Sequence, residues 1–230
     1  MAIDHKIIIA GAGRQNRIMP SLVELREAMA EGSDQKKQCI CGYAAKYNNI
    51  TVLYSSKYYE YREVIMPGFF DDVLTNDVRC LKNHDPNLIT GRTTANTLSI
   101  SSDETGLYFD NEPDPEITYV SDLIRSVKRK EITQCSFSFT IKEQKWEELQ
   151  VDEKWIYTRY LIKARQLYDV GPVTFPAYED TVAEVDERSI EALQREVEEW
   201  RKANAPKEPQ NDIEKLKQRN RKLWLLERSI

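Results

Sequence analysis

The sequence predicts an α+β protein that is mainly β: a compact β-barrel-like core, or a sandwich, with helices packed against it. Three observations carry this. From about Gln38 to Thr181, Tyr, Ile, Val and Thr cluster in short runs. Pro67-Gly68, Asn83 to Pro86, Gly106, Pro113 to Pro115 and Gly171-Pro172 punctuate them. A single helical period interrupts the runs, with Val120, Leu123, Ile124 and Val127 on one stripe and Lys128-Arg-Lys130 at its C-terminal end. One segment alternates cleanly, placing Cys135, Phe137, Phe139 and Ile141 on one face and Ser136, Ser138 and Thr140 on the other.

Taken in order, residues 1–37 read as an N-terminal extension. Ser21 to Ala30 has the apolar spacing of a helix, with Ser21 and Glu24 spaced as a capping box and Gly32 closing it. Lys6 to Asn16 imitates a dinucleotide-binding turn, but Asn16 stands where the third glycine belongs and no βαβ unit follows. A flexible or docking segment is the simpler expectation. Residues 38–181 form the core, and Trp146 to Tyr160 reads as a hairpin turning near Asp152-Glu153. Residues 182–230 read as a charged helical extension. Ile190, Leu193, Val197 and Trp200 mark one amphipathic helix, and Pro206 and Pro209 mark a linker. Ile213, Leu216, Leu223 and Leu226 mark a second helix. These helices fit partner-facing packing or a solvated charged tail equally well.

At 230 residues, 40% hydrophobic and 31% charged, the chain suits one domain with charged extensions. Its net charge of −5 supplies no broad pull toward nucleic acid or an anionic membrane, so neither is an expected partner. No apolar run reaches bilayer-spanning length, and the first ten residues do not form a secretory signal. The four cysteines have no disulfide pattern. Cys39 and Cys41 are one residue apart, which is not a zinc-knuckle spacing, so buried thiols are expected and no metal or cofactor.

The chemistry concentrates in Leu81-Lys-Asn-His-Asp85 and Gln134-Cys-Ser-Phe-Ser-Phe139. The first contains one of only two histidines; the second offers serines from a rigid strand. A serine hydroxyl becomes a nucleophile when a base such as histidine takes its proton. Taken singly, each motif has a blander reading: a turn with a capping histidine, and the solvent face of a strand. Strand geometry does not choose between Ser136 and Ser138.

Five motifs in order resemble the tailed-bacteriophage (caudovirus) prohead maturation proteases. They are Gly42-Tyr-Ala-Ala-Lys-Tyr-Asn48, Glu63 to Phe70 with its Met-Pro-Gly-Phe-Phe, Leu81 to Asp85 followed by Gly91-Arg92, Cys135 to Phe139, and Leu167 to Tyr178. The resemblance spans about Ile40 to Thr181. It implies a serine endopeptidase with a herpesvirus-assemblin-like fold, acting in the host cytoplasm inside the procapsid. There it would cleave scaffold or the scaffold-like arm of the major capsid protein, with self-cleavage. It assigns Ser136 as nucleophile, His84 as general base and Asp169 as the acidic member. Asp85 is the weaker acidic candidate, because a neighbour on an extended strand points away from its histidine. Arg92 and Arg165 are candidates for supplying charge to an oxyanion. Phe175-Pro-Ala-Tyr178 reads as structural. By analogy a homodimer is also implied. The chain departs from the family pattern at Ser138, where glycine is common, and at Gly171, where serine is common.

Two further classes stay open: a capsid-assembly or scaffold protein that keeps the fold with little or no proteolysis, and, more remotely, a nucleotide-binding enzyme. Labelling by a serine-directed phosphonate, lost on Ser136→Ala, separates the first of these from a protease.

Overall fold

A computed structural model describes residues 8–9, 13–29, 36–174 and 187–204. In chain order the strands are β1 (Ile8–Ile9), β2 (Gln15–Met29), β3 (Lys36–Lys46), β4 (Ile50–Ser55), β5 (Tyr59–Ile65), β6 (Arg79–Leu81), β7 (Ile89–Arg92), β8 (Leu98–Ser102) and β9 (Gly106–Asn111). Helix α1 (Thr118–Lys128) follows, then β10 (Gln134–Val151), β11 (Lys154–Val173) and helix α2 (Glu187–Asn204). The protein is mainly β with two helices among the described residues, as the turn punctuation predicts.

The strands run in the order β4-β5-β11-β10-β2-β3-β9-β8, with β1 on β10 and the short β6–β7 pair beside β11. Among the described residues no ladder joins β4 to β8, so the path is open rather than a closed barrel. The bend comes at β2. Residues 15–22 pair with β10, and residues 23–29 pair with β3. One strand thus serves two sheets, which turns a corner between them.

This corrects the helix expected over Ser21 to Ala30. Val23 and Leu25 turn inward while Glu24 and Arg26 are exposed, a period of two that the same residues offer beside their helical one. Ladder pairing, with β10 up to Leu22 and with β3 from Val23 on, satisfies the backbone and overrides local helix preference. The stretch expected as an extension therefore contributes a strand between β10 and β3, and the expected boundary at 37 falls within β3. Gly32 lies outside the described residues.

The hairpin expected over 146–160 is present but longer. β10 and β11 pair from Gln134↔Val173 to Val151↔Lys154 around a two-residue turn. Asp152 sits there at φ 53°, a left-handed conformation that aspartate tolerates. Helix α1 buries Val120, Leu123, Ile124 and Val127, the stripe the sequence predicts.

The core forms beneath β10. Phe137 and Phe139 are fully buried and meet Phe70 and Phe69 edge-on, at ring-centroid distances of 5.4 and 5.5 Å. The Pro67-Gly68 turn delivers that second pair, with Gly68 at φ 83°. Burying each such side chain is worth about 1.5–3 kcal/mol. The other face of β10 is buried as well: Ser136, Ser138 and Thr140 are each 0–2% exposed, so the blander reading of these hydroxyls as a solvent face does not hold.

Helix α2 packs Leu193, Val197 and Trp200 onto a smaller cluster of Leu53, Tyr61, Trp146 and Tyr157. The second expected C-terminal helix, the Pro206–Pro209 linker and Phe175-Pro-Ala-Tyr178 lie outside the described residues. All four cysteines are buried, and none is in a disulfide.

Candidate active site

Ser136 sits on β10 between β11 and β2, opposite Gly171 on one side and Ile18 on the other. Two residues along, Ser138 stands opposite Asp169. With a side-chain period of two, Ser136, Ser138 and Asp169 share one face. Asp169 also pairs in parallel with Arg79 of β6, which fixes where β6 delivers the chain that follows it.

That chain is the turn Lys82–His84. Asn83 and His84 both adopt left-handed backbone, at φ 57° and 58°. Asparagine takes this readily; for histidine it is a sparsely populated conformation held by its surroundings. The Asn83 side chain anchors it, accepting from the Thr174 backbone N–H at 2.7 Å and donating to Thr174 Oγ1 at 3.1 Å.

The turn aims the imidazole between β10 and β11. His84 Nε2 lies 2.6 Å from Ser136 Oγ, and His84 Nδ1 lies 2.5 Å from Asp169 Oδ1. Asp169 is 1% exposed, while the His84 side chain is 17% exposed. The three residues assigned by resemblance are thus brought into one hydrogen-bonded row. Ser138 is held elsewhere: Arg14 Nε donates to its Oγ at 2.5 Å, and Arg14 also pairs with Asp169 Oδ2 and stacks over Tyr168.

Gly171 makes the approach of β6 feasible. A Cβ there would run into the Leu81 carbonyl oxygen, and its φ of 155° is unfavourable for any other residue. A serine at this position would meet the Leu81 backbone, which fills the space.

Asp85 does not touch His84. Its carboxylate accepts from the Asn87 backbone N–H at 2.8 Å and from Asn87 Nδ2 at 2.9 Å, closing a turn. The reason differs from the extended-strand argument, since the segment is a turn. Arg92 is spent on Asp77, at 2.8 and 2.6 Å, and Arg165 is exposed on β11. Nearby Cys80 is no rival nucleophile, because burial pushes its thiol up to about 12.

Sequence reasoning missed Arg14 and Arg17. The Arg17 carbonyl accepts from Ser136 Oγ at 2.8 Å, and its guanidinium reaches Glu63 at 2.5 Å. Glu63 is 2% exposed, and the Arg159 side chain beside it donates to the same carboxylate at 2.7 Å. Burial would raise the Glu63 carboxyl, but the Arg17 and Arg159 charges outweigh it and hold it at about 2. The signal for these arginines was the Gly13-Arg-Gln-Asn-Arg17 run, whose glycine drew attention to nucleotides instead.

A serine, a histidine and a carboxylate in a hydrogen-bonded row on a mainly β scaffold have the layout of a serine hydrolase site. The sequence pattern of the caudovirus prohead serine proteases matches residues 23–196, and the chain belongs to that family. No curated protein sequence matches it. Among solved structures it is similar to the bacteriophage T4 capsid assembly protease, gp21, at 10% identity and a TM-score of 0.42, over 71% of this chain and 98% of that one. Among the described residues no helix is long and apolar enough to cross a membrane.

Proposed function

We propose that the protein is a serine endopeptidase of prohead maturation, with Ser136 as nucleophile, His84 as general base and Asp169 as its orienting partner. The observation that carries this is the placing of His84 between Ser136 and Asp169, at 2.6 and 2.5 Å. Asp169 fixes Nδ1 as the protonated nitrogen and leaves Nε2 facing the serine. Nε2 takes the hydroxyl proton as Oγ attacks the scissile carbonyl, and returns it to the leaving amine as the C–N bond breaks. Water then attacks the acyl-serine with the same base, freeing the acid and restoring the hydroxyl. In the free enzyme Arg14 also pairs with the other oxygen of Asp169.

The substrates in this reading are the scaffold and the scaffold-like arm of the major capsid protein, met inside the procapsid in the host cytoplasm. Self-cleavage in residues 1–37 or 182–230, a homodimer and kinship in fold with the herpesvirus assemblins belong to the same reading. The test is labelling of the purified chain by a serine-directed phosphonate together with mass spectrometry of capsid protein and scaffold before and after maturation. Labelling and capsid processing that both vanish in Ser136→Ala support it. Wild-type processing by that variant overturns it.

A further inference from the structure

The edge of β10 that β11 does not use is covered by the chain's own N-terminal stretch. Ile8 and Ile9 pair antiparallel with Gln144 and Glu143, and residues 15–22 pair with the segment 134–139 that bears Ser136. This covering segment precedes residue 23, where the family match begins. An open strand edge presents a row of main-chain donors and acceptors, and an extended peptide binds such an edge as an added strand. Here the edge belongs to the strand that carries the nucleophilic serine.

The contacts of Arg17 give this segment the character of a bound peptide. Its carbonyl accepts from Ser136 Oγ at 2.8 Å, so the carbonyl nearest the hydroxyl is that of residue 17. The hydroxyl has one proton, and while it is given to Arg17 it is not given to His84 Nε2. The Arg17 side chain meanwhile reaches Glu63 through two bonds of 2.5 and 3.0 Å and donates to Gln15 Oε1 at 2.6 Å. Without Arg17, the cluster holds the Glu63 and Glu196 carboxylates against the single Arg159 guanidinium, two negative charges to one positive. Arg17 supplies the missing cation from outside the family-matched region. A buried acidic site open to a cation from an edge strand is what selects a basic side chain.

We propose that residues 14–17 occupy the protein's own substrate edge. The site then takes an extended peptide whose residue before the scissile bond is arginine or lysine, its cationic end held by Glu63. This rests on the reading of Ser136 as nucleophile. Arg17 then competes with substrate for both the edge strand and the acidic pocket, and the free enzyme is self-restrained.

The test uses the full-length chain and four extended peptides that differ only in the residue before the scissile bond: Arg, Lys, Leu or Glu. The Arg and Lys peptides should exceed the Leu and Glu peptides by roughly tenfold or more in kcat/KM, the scale on which a site discriminates through a buried charged partner. Arg17→Ala should lower KM for the Arg peptide with kcat little changed, and Arg17→Lys should restore the wild-type KM. A merely structural role for Arg17 predicts lost activity instead. Hydrolysis that depends on Ser136 but is indifferent to the basic residue overturns this inference and leaves the proposed function standing, as does a KM raised by Arg17→Ala. Absence of any Ser136-dependent hydrolysis overturns both.

Discussion

Gly171 stands directly across the β10–β11 ladder from Ser136, and the space its missing side chain leaves is filled by the backbone of Leu81. Three residues after Leu81 comes His84. The glycine thus sets how closely the histidine turn approaches the serine. Gly171→Ser would both clash with the Leu81 carbonyl and strain a backbone at φ 155°. A loss of about 1–3 kcal/mol in stability is expected, checked by denaturant unfolding. The loss in kcat should be larger than folding alone explains, because β6 must retreat and carry His84 with it.

Ser136→Ala should abolish peptide hydrolysis while keeping the fold, at a stability cost of about 1–3 kcal/mol because the Arg17 carbonyl loses the hydroxyl donor of the buried Ser136. Ser138→Ala should retain substantial activity, because Ser138 is bonded to Arg14 and not to His84. Reversed outcomes in a side-by-side rate measurement would move the nucleophile two residues along.

His84→Ala should lose about as much activity as Ser136→Ala, since members of one catalytic unit are strongly non-additive. For Asp169→Asn the expected loss in kcat is roughly a hundredfold or more. The amide cannot fix the same tautomer and leaves Arg14 without its buried anionic partner. A fully active Asp169→Asn enzyme would remove that residue from the proposed row.

Glu63 makes stability depend on acid. Its folded value of about 2 lies below the ordinary 4.5, so its contribution is fully present above pH 4.5 and is lost as pH falls toward 2. The size is on the order of 3 kcal/mol. Unfolding free energy measured by denaturant between pH 6 and pH 2 should show a fall that Glu63→Gln lacks, although that variant is weaker throughout because two guanidinium groups lose their partner.

Much of the core was legible because its signals are local. The stripe of α1, the turn at Asp152, the aromatic face of β10 and the amphipathic start of α2 are each read from spacing within about twenty residues. His84, Ser136 and Asp169 were legible only through ordered motifs, since residues 52 and 85 positions apart meet by topology and not by period. The helix expected over Ser21 to Ala30 is a strand because Val23, Leu25 and their neighbours fit both periods, and the deciding partners, β10 and β3, are distant in sequence. The burial of the serine face was hidden for the same reason. Nothing local to Ser136 announces that Arg17 and His84 close over it.

The C-terminal region should divide at the end of α2. Trp200, Val197 and Leu193 are buried against Trp146, Tyr157 and Tyr61, and Arg201 bonds to Glu148 on β10. Glu196 reaches the buried Arg159, which in turn holds Glu63. Ending the chain after Asn204 keeps all of these contacts, whereas ending it before Glu187 strips Trp200 from the cluster and leaves Arg159 with one carboxylate fewer. The longer truncation should melt near the full-length temperature and hydrolyse peptides at a similar rate. The shorter one should lose on the order of 3–5 kcal/mol, the cost of removing a large buried aromatic from a packed cluster. If residues 205–230 tether the protease to scaffold or capsid protein, the longer truncation should also enter procapsids poorly while remaining active in solution. Normal incorporation of that truncation, measured by quantifying protease in purified procapsids, would sink the tether and leave the division at Asn204 to be judged by the melting curves alone.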